Sequence, residues 1–208
     1  MPTTPREPTE RSRPRTRQDR DTRSDAIVTA ALRLFAARGF RGTSIAAVAS
    51  EVGLTDAGVL HHFPTKRALL ASVLERSTLD SLADAREVFA PGGVEALRRL
   101  AEWGTVMERQ PHQTGLEITL GAESLDADAD LHEFFRTRYR TLQRWLRRAI
   151  ETGIERQELR ADTDARAEAT SLIAFLDGIR LQWYFGAVDS LADEVRAHVL
   201  HVIDRLAP

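Results

Sequence analysis

Apolar positions along this 208-residue chain recur at helical spacing almost throughout, and no stretch alternates with the period of two that marks a strand. Ile27, Ala30, Ala31, Leu34 and Phe35 form a first stripe, which stops at Gly39-Phe40. Ile45, Val48 and Ala49 follow a Thr43/Ser44 cap, Gly53 breaks the pattern, and a short third helix starts at Thr55. Ala68, Leu69, Val73, Leu74 and Leu82 predict a long fourth helix that ends before Pro91-Gly92-Gly93. Val94, Leu97, Leu100, Ala101, Val106 and Met107 define a fifth, and Pro111 separates it from a sixth over about 114–124. The acidic stretch 126–130 is expected as a loop and helix start. The seventh stripe is the most regular: Leu131, Phe134, Phe135, Tyr139, Leu142, Trp145, Leu146, Ala149 and Ile150, with arginines on the opposite face and a stop near Gly153. Asp162-Thr163 can cap an eighth helix, and Asp189-Ser190 a ninth through Leu191, Val195, Val199 and Val202. The expected class is all-α, with about nine helices.

Composition changes this picture at the amino terminus. Residues 1–23 hold Pro2, Pro5, Pro8 and Pro14, seven arginines and almost no apolar side chains, so they are expected as a disordered basic arm. Arg13, Arg15, Arg17, Arg20 and Arg23 serve there either as a solubilising tail or as contacts to phosphates or a minor groove. The net charge of −2 hides an asymmetry: residues 1–71 carry 12 basic against 7 acidic side chains, and residues 72–208 carry 17 against 24. A polyanion is therefore expected on the first third of the chain and not on the rest.

Other chemistries find little support. There is no cysteine, and the six histidines are scattered, with adjacent His61 and His62 about 100° apart on a helix, so neither a metal nor another cofactor is expected. His132-Glu133 lacks the second histidine of a zinc helix, and Gly92-Gly93 follows a proline breaker, so an enzyme is a distant alternative. No apolar run is long enough for a membrane span and no signal peptide is evident, so the expectation is a cytoplasmic protein with no membrane partner.

The stretch 43–66 is the most telling. Two short helices joined by a tight glycine turn form a helix-turn-helix, and the second of them is poor in helix formers and long charged side chains, as suits close approach to another surface. From Asp25 to Leu70 the chain also resembles the amino-terminal domain of the TetR family of bacterial transcriptional regulators. The Gly39-Phe40 helix end, the Thr43/Ser44 cap and the corner Phe63-Pro64-Thr65-Lys66 carry the resemblance. It implies a three-helix DNA-binding domain over residues 24–70 and a larger ligand-binding and dimerisation domain over 71–208.

The resemblance also implies roles for single residues. Thr55, Asp56, Ala57, Gly58, Leu60 and His61 take the groove-facing positions; Gly58 admits the helix to the base edges, and Leu60 or Ala57 can meet a thymine methyl. Thr43 and Ser44 can hold a phosphate at a helix start, and His62 and Lys66 match positions that grip phosphates. Val59 and Phe63 are expected in the core. Two positions depart from the family pattern: Leu60 stands where tyrosine is common, and Asp56 where a neutral or basic residue is common.

Helix eight is apolar on nearly every face from Leu172 to Phe185, more than one core requires. Leu172, Phe175, Leu176 and Ile179, with Val195, Val199 and Val202 of helix nine, are therefore expected at a four-helix interface between two copies. In the family a ligand enters among helices five to eight. Trp103, Met107, Leu116, Leu120, Phe134, Phe135, Phe175 and Trp183 are the candidate lining here, with Glu117, Glu123, Asp177 and Arg180 as polar determinants. Such aromatic stripes also serve as plain core. The lining favours an apolar or aromatic small molecule, while Glu117, Glu123 or Asp177 could admit a cation. The expected function is a repressor that binds double-stranded operator DNA as a homodimer and is released by a small, largely apolar effector; an activator, or a regulator controlled by a protein partner, shares every feature.

Overall fold

The computed structural model describes residues 17–126 and 131–208, with backbone alone at 17–20 and 78–84. The described residues form nine α-helices and no strand: α1 (Arg17–Arg38), α2 (Ile45–Glu51), α3 (Asp56–His62), α4 (Lys66–Phe89), α5 (Gly93–Arg109), α6 (Pro111–Glu123), α7 (His132–Glu155), α8 (Ala165–Tyr184) and α9 (Leu191–Leu206). The first sixteen residues of the expected arm and most of the acidic stretch before α7 lie outside the described residues.

Helix α8 is capped by Asp164, whose side chain accepts from Arg166 N and Ala167 N, and not by Asp162-Thr163, and two other boundaries differ from expectation. Helix α1 begins at Arg17, so the last seven residues of the expected arm are helical; no proline or glycine follows Pro14 before Gly39 to stop them. Helix α6 begins at Pro111, three residues early, because a proline is well tolerated in the first turn, where its missing N–H is not needed.

Two cores result. The first gathers Ile27, Ala31 and Phe35 of α1, Val48 and Ala49 of α2, Val59 of α3, and Leu69 and Val73 of α4, and it is closed by Leu116 and Leu120 of α6. It therefore crosses the boundary expected at residue 70. The second is built on the contact between α5 and α9, with α7 and α8 packed beside it. Gly104 makes that contact possible: a Cβ there would lie 2.9 Å from the Ala192 Cα and 3.0 Å from the Leu191 carbonyl oxygen, so only hydrogen fits between the two backbones.

The second core takes up five of the seven expected dimer residues. Leu172, Ile179, Val195, Val199 and Val202 are each at most 4% exposed within a single chain, and Leu176 lines an internal cavity. Val195 and Val199 fill the α5–α9 contact, so the apolar stripe of α9 points inward. The surplus on α8 and α9 lies elsewhere: Leu181, Phe185 and Leu200 are exposed, beside Ala174, Gly178 and Ala197.

Candidate functional site: nucleic-acid interface and internal cavity

Helix α3 is held in rotation by one side chain. Val59 is fully buried, worth about 1.5 kcal/mol or more, and this places Thr55, Asp56, Ala57, Leu60 and His61 on the outside with Gly58 and His62 half-exposed. Phe63 closes the same core, as expected. Capping fixes both ends of the motif. Thr55 Oγ1 accepts from Gly58 N at 3.1 Å, Ser44 Oγ accepts from Ala47 N at 3.1 Å, and Gly53 turns between the helices at φ +65°. A Cβ on Gly58 would meet its nearest neighbour, Thr55 Oγ1, at an ordinary 3.4 Å, so nothing inside the chain requires glycine there.

Two expected phosphate residues face inward. Thr43 is 2% exposed; its hydroxyl sits 2.8 Å from the Gly39 carbonyl and 3.2 Å from that of Leu34. Its N–H donates to Phe40 O, so Thr43 braces the turn and Ser44 is the helix cap. Lys66 Nζ donates to Phe40 O at 2.8 Å and Thr43 O at 2.9 Å, and lies 4.3 Å from the centre of the Phe40 ring. Two of its three N–H donors are thus spent on the same turn.

That turn is held from its other side by α6. Glu123 accepts from Phe40 N at 2.8 Å and from Arg41 N at 3.4 Å, and Thr119 donates to Ala36 O. Gly39 has φ +73°, and a Cβ there would collide with the Glu123 carboxylate. Glu123 therefore joins the two parts of the molecule and does not line the cavity among α4, α5, α6, α7 and α8.

A cavity of about 110 Å³ opens among α4, α5, α6, α7 and α8. Of the expected lining it takes in Trp103, Met107, Glu117, Phe135 and Asp177, with Arg180. Leu116, Leu120 and Phe134 pack with the first core, because α6 and the start of α7 lean on α1 and α4, and they line a small pocket of about 10 Å³ that shares Glu117, Phe135 and Arg138 with the cavity. Phe175 stacks on His198 of α9 with ring centres 3.7 Å apart, and Trp183 packs on the second core. Neither lines this cavity.

The charged floor of the cavity was only partly foreseen. Arg180 donates from Nη1 to Glu117 at 2.9 Å, from Nη2 to Asp177, and from Nε to the Leu176 carbonyl. Arg138 donates to the other oxygen of Glu117 at 2.6 Å. Burial alone would disfavour the Arg180 charge, but Glu117 and Asp177 outweigh it and hold its pKa above the ordinary value. Burial, reinforced by the Asp177 charge, pushes the Tyr139 phenol up to about 12, so it is a neutral donor beside Asp177. Arg138 and Tyr139 were missed. The signal was present for Arg138, which interrupts the apolar stripe between Phe134/Phe135 and Leu142 at helical spacing.

Known proteins share this arrangement. A family model described as bacterial regulatory proteins of the tetR family matches residues 27–73, and one described as the carboxy-terminal domain of BetI-type transcriptional repressors matches residues 93–208. The chain is 24% identical over 187 residues to the HTH-type transcriptional regulator TtgR of Pseudomonas putida, covering 86% of this chain and 89% of that protein. It is 41% identical over 70 residues to the regulator RutR of Escherichia coli, 32% of each chain. A regulator from Saccharomonospora viridis, solved in complex with choline, superposes with a TM-score of 0.69 at 27% identity over 90% of this chain and 99% of that one. These relatives are DNA-binding transcriptional regulators and not enzymes. No described helix is long and apolar enough to cross a membrane.

Proposed function

The chain belongs to the TetR family of bacterial transcriptional regulators, and on that premise we propose that it is a cytoplasmic repressor, binding a pseudo-palindromic operator as a homodimer and released by a small effector with a largely apolar body. One observation carries the reading: a helix whose outward face is Thr55, Asp56, Ala57, Gly58, Leu60 and His61 is coupled through α6 to a domain that holds a cavity. Gly58, which the fold does not need, lets α3 approach base edges; Thr55 and His61 offer hydrogen bonds and Leu60 or Ala57 an apolar contact. Ser44 and His62 supply phosphate contacts, joined by the third N–H of Lys66.

The pairing face consists of the outer sides of α8 and α9. Leu181 and Phe185, 43% and 79% exposed, follow Gly178, where a Cβ would meet nothing, and Leu200 and Ala197 continue the patch on α9. Small residues there allow close helix approach between two copies, which sets two α3 helices on successive half-sites.

The test is selection of duplexes from a random pool by the full chain, followed by Gly58→Gln. An inverted repeat should emerge, and the substitution should lower affinity for it by more than for random duplex. Recovery of no repeat, or equal loss on both duplexes, would overturn the reading.

A further inference from the structure

We propose that the effector is a small amphipathic carboxylate whose head group takes the place of Asp177 on Arg180; this rests on the cavity being the effector site. Four charged side chains meet at the cavity floor, Arg138 and Arg180 against Glu117 and Asp177, so their sum is zero and net charge alone favours an ion of neither sign. The choice between cation and anion therefore lies in which member can be exchanged at least cost.

The two carboxylates differ. Both oxygens of Glu117 accept from guanidinium groups, one from α7 and one from α8, and its side chain is 19% exposed between arginines at 13% and 15%. A cation seeking Glu117 must break bonds between three different helices, with two buried guanidinium charges left facing it. Asp177 is 35% exposed and pairs with Arg180 three residues along the same helix. An incoming carboxylate would recover both donors that Asp177 holds, Arg180 Nη2 and the Tyr139 hydroxyl, and Asp177, the more exposed of the two carboxylates, can turn to water without moving a helix. Its departure leaves Arg180 still fixed by Glu117 and the Leu176 carbonyl, with Nη2 directed at the cavity and the neutral Tyr139 hydroxyl beside it.

A carboxylate fits that vacancy because Nη2 and the Tyr139 hydroxyl are the two donors Asp177 leaves behind, and a charge-assisted bond to Arg180 favours an anion. A cation would instead meet Arg180 wherever it approached Asp177. The remainder of the wall is mainly apolar, with Phe89, Trp103, Met107, Leu142 and Ile173 beside the polar Gln110, Gln113 and Thr114, which asks for a largely apolar body.

Three probes with one tail separate the head groups: octanoate, 1-octanol and octyltrimethylammonium, titrated into the DNA-free protein by calorimetry. Octanoate should bind at least about tenfold more tightly than the alcohol, as a charge-assisted pair allows, and the ammonium more weakly still. Arg180→Gln should bring octanoate and octanol within about twofold of each other. Should that variant unfold, Asp177→Asn, which removes the competing carboxylate, should tighten octanoate by about two- to fivefold and leave octanol unchanged. Equal binding of acid and alcohol, tighter binding of the ammonium, or an Asp177→Asn variant that does not favour the acid would overturn the carboxylate and keep the effector cavity. No binding by any of the three would remove the effector cavity as well.

Discussion

The DNA-binding helices and the domain behind them use their apolar residues differently. In the first, each helix offers one stripe to one small core, and a residue's spacing alone says whether it faces in or out: Val59 and Phe63 are buried, and Leu60 between them is 40% exposed. In the second, helices α7 and α8 have neighbours on several sides, so one apolar residue can face the core, the cavity or the outer surface. Leu172, Leu176 and Leu181 lie along one helix and take these three places in turn. Periodicity is therefore a sufficient guide where a helix has one packed face, and an insufficient one where it has two.

The largest expected effect tests this difference at α9. Val199→Arg would place a charge with no partner in the α5–α9 contact and should destabilise by about 3–5 kcal/mol, a large share of the stability of an ordinary domain. Chemical denaturation of the variant beside the parent chain measures it. A variant that keeps full stability but sediments as a monomer would return Val199 to a surface between copies.

A smaller effect is expected where the two regions meet. Glu123→Ala removes two backbone N–H acceptors and should cost about 1–3 kcal/mol, the range for hydrogen bonds to a charged group. Amide exchange should then rise first around Phe40 and Arg41. Unchanged exchange there would mean that the DNA-binding helices keep their turn without α6, and the two regions would be more separate than their shared core indicates.

The smallest effect is spectroscopic and belongs to one region alone. Both tyrosines, Tyr139 and Tyr184, lie behind the DNA-binding helices, and burial raises the pKa of each, Tyr139 to about 12. The folded state thus holds phenol protons that the unfolded state releases near pH 10, and stability from this source falls as pH rises from about 10 toward 12. Phenolate absorbance at pH 10 should be well under half of the two-tyrosine value and should rise on unfolding. A full half-titration in the folded chain would mean that the half-exposed Tyr139 is hydrated at its hydroxyl and makes no bond to Asp177.

These contrasts mark what could be read in advance. The nine helices followed from spacing and breakers, and the outward face of α3 followed from the position of Val59 within its seven residues. The inward roles of Thr43 and Lys66 did not. Both depend on the Phe40 turn folding back over residues far along the chain, a tertiary event with no periodic trace. The cavity floor was half legible: Glu117, Asp177 and Arg180 stood out as polar residues among apolar neighbours, whereas Arg138 read as one more solvated arginine and Tyr139 as one more member of the apolar stripe. Helix α9 misled because an inward stripe and a pairing stripe have the same period.

Lys66 is the chain's sole lysine among 29 basic residues. Reagents or enzymes that acylate side-chain amines accordingly have one address in this sequence, and it is the strut beneath the Phe40 turn. Acetylation there would abolish the charge and leave one N–H where two hold Phe40 and Thr43, loosening the support of the DNA-binding helices without altering any residue on the outward face of α3. The acylation rate of this one amine becomes a clock for how often the corner opens, readable by mass alone and comparable with and without DNA.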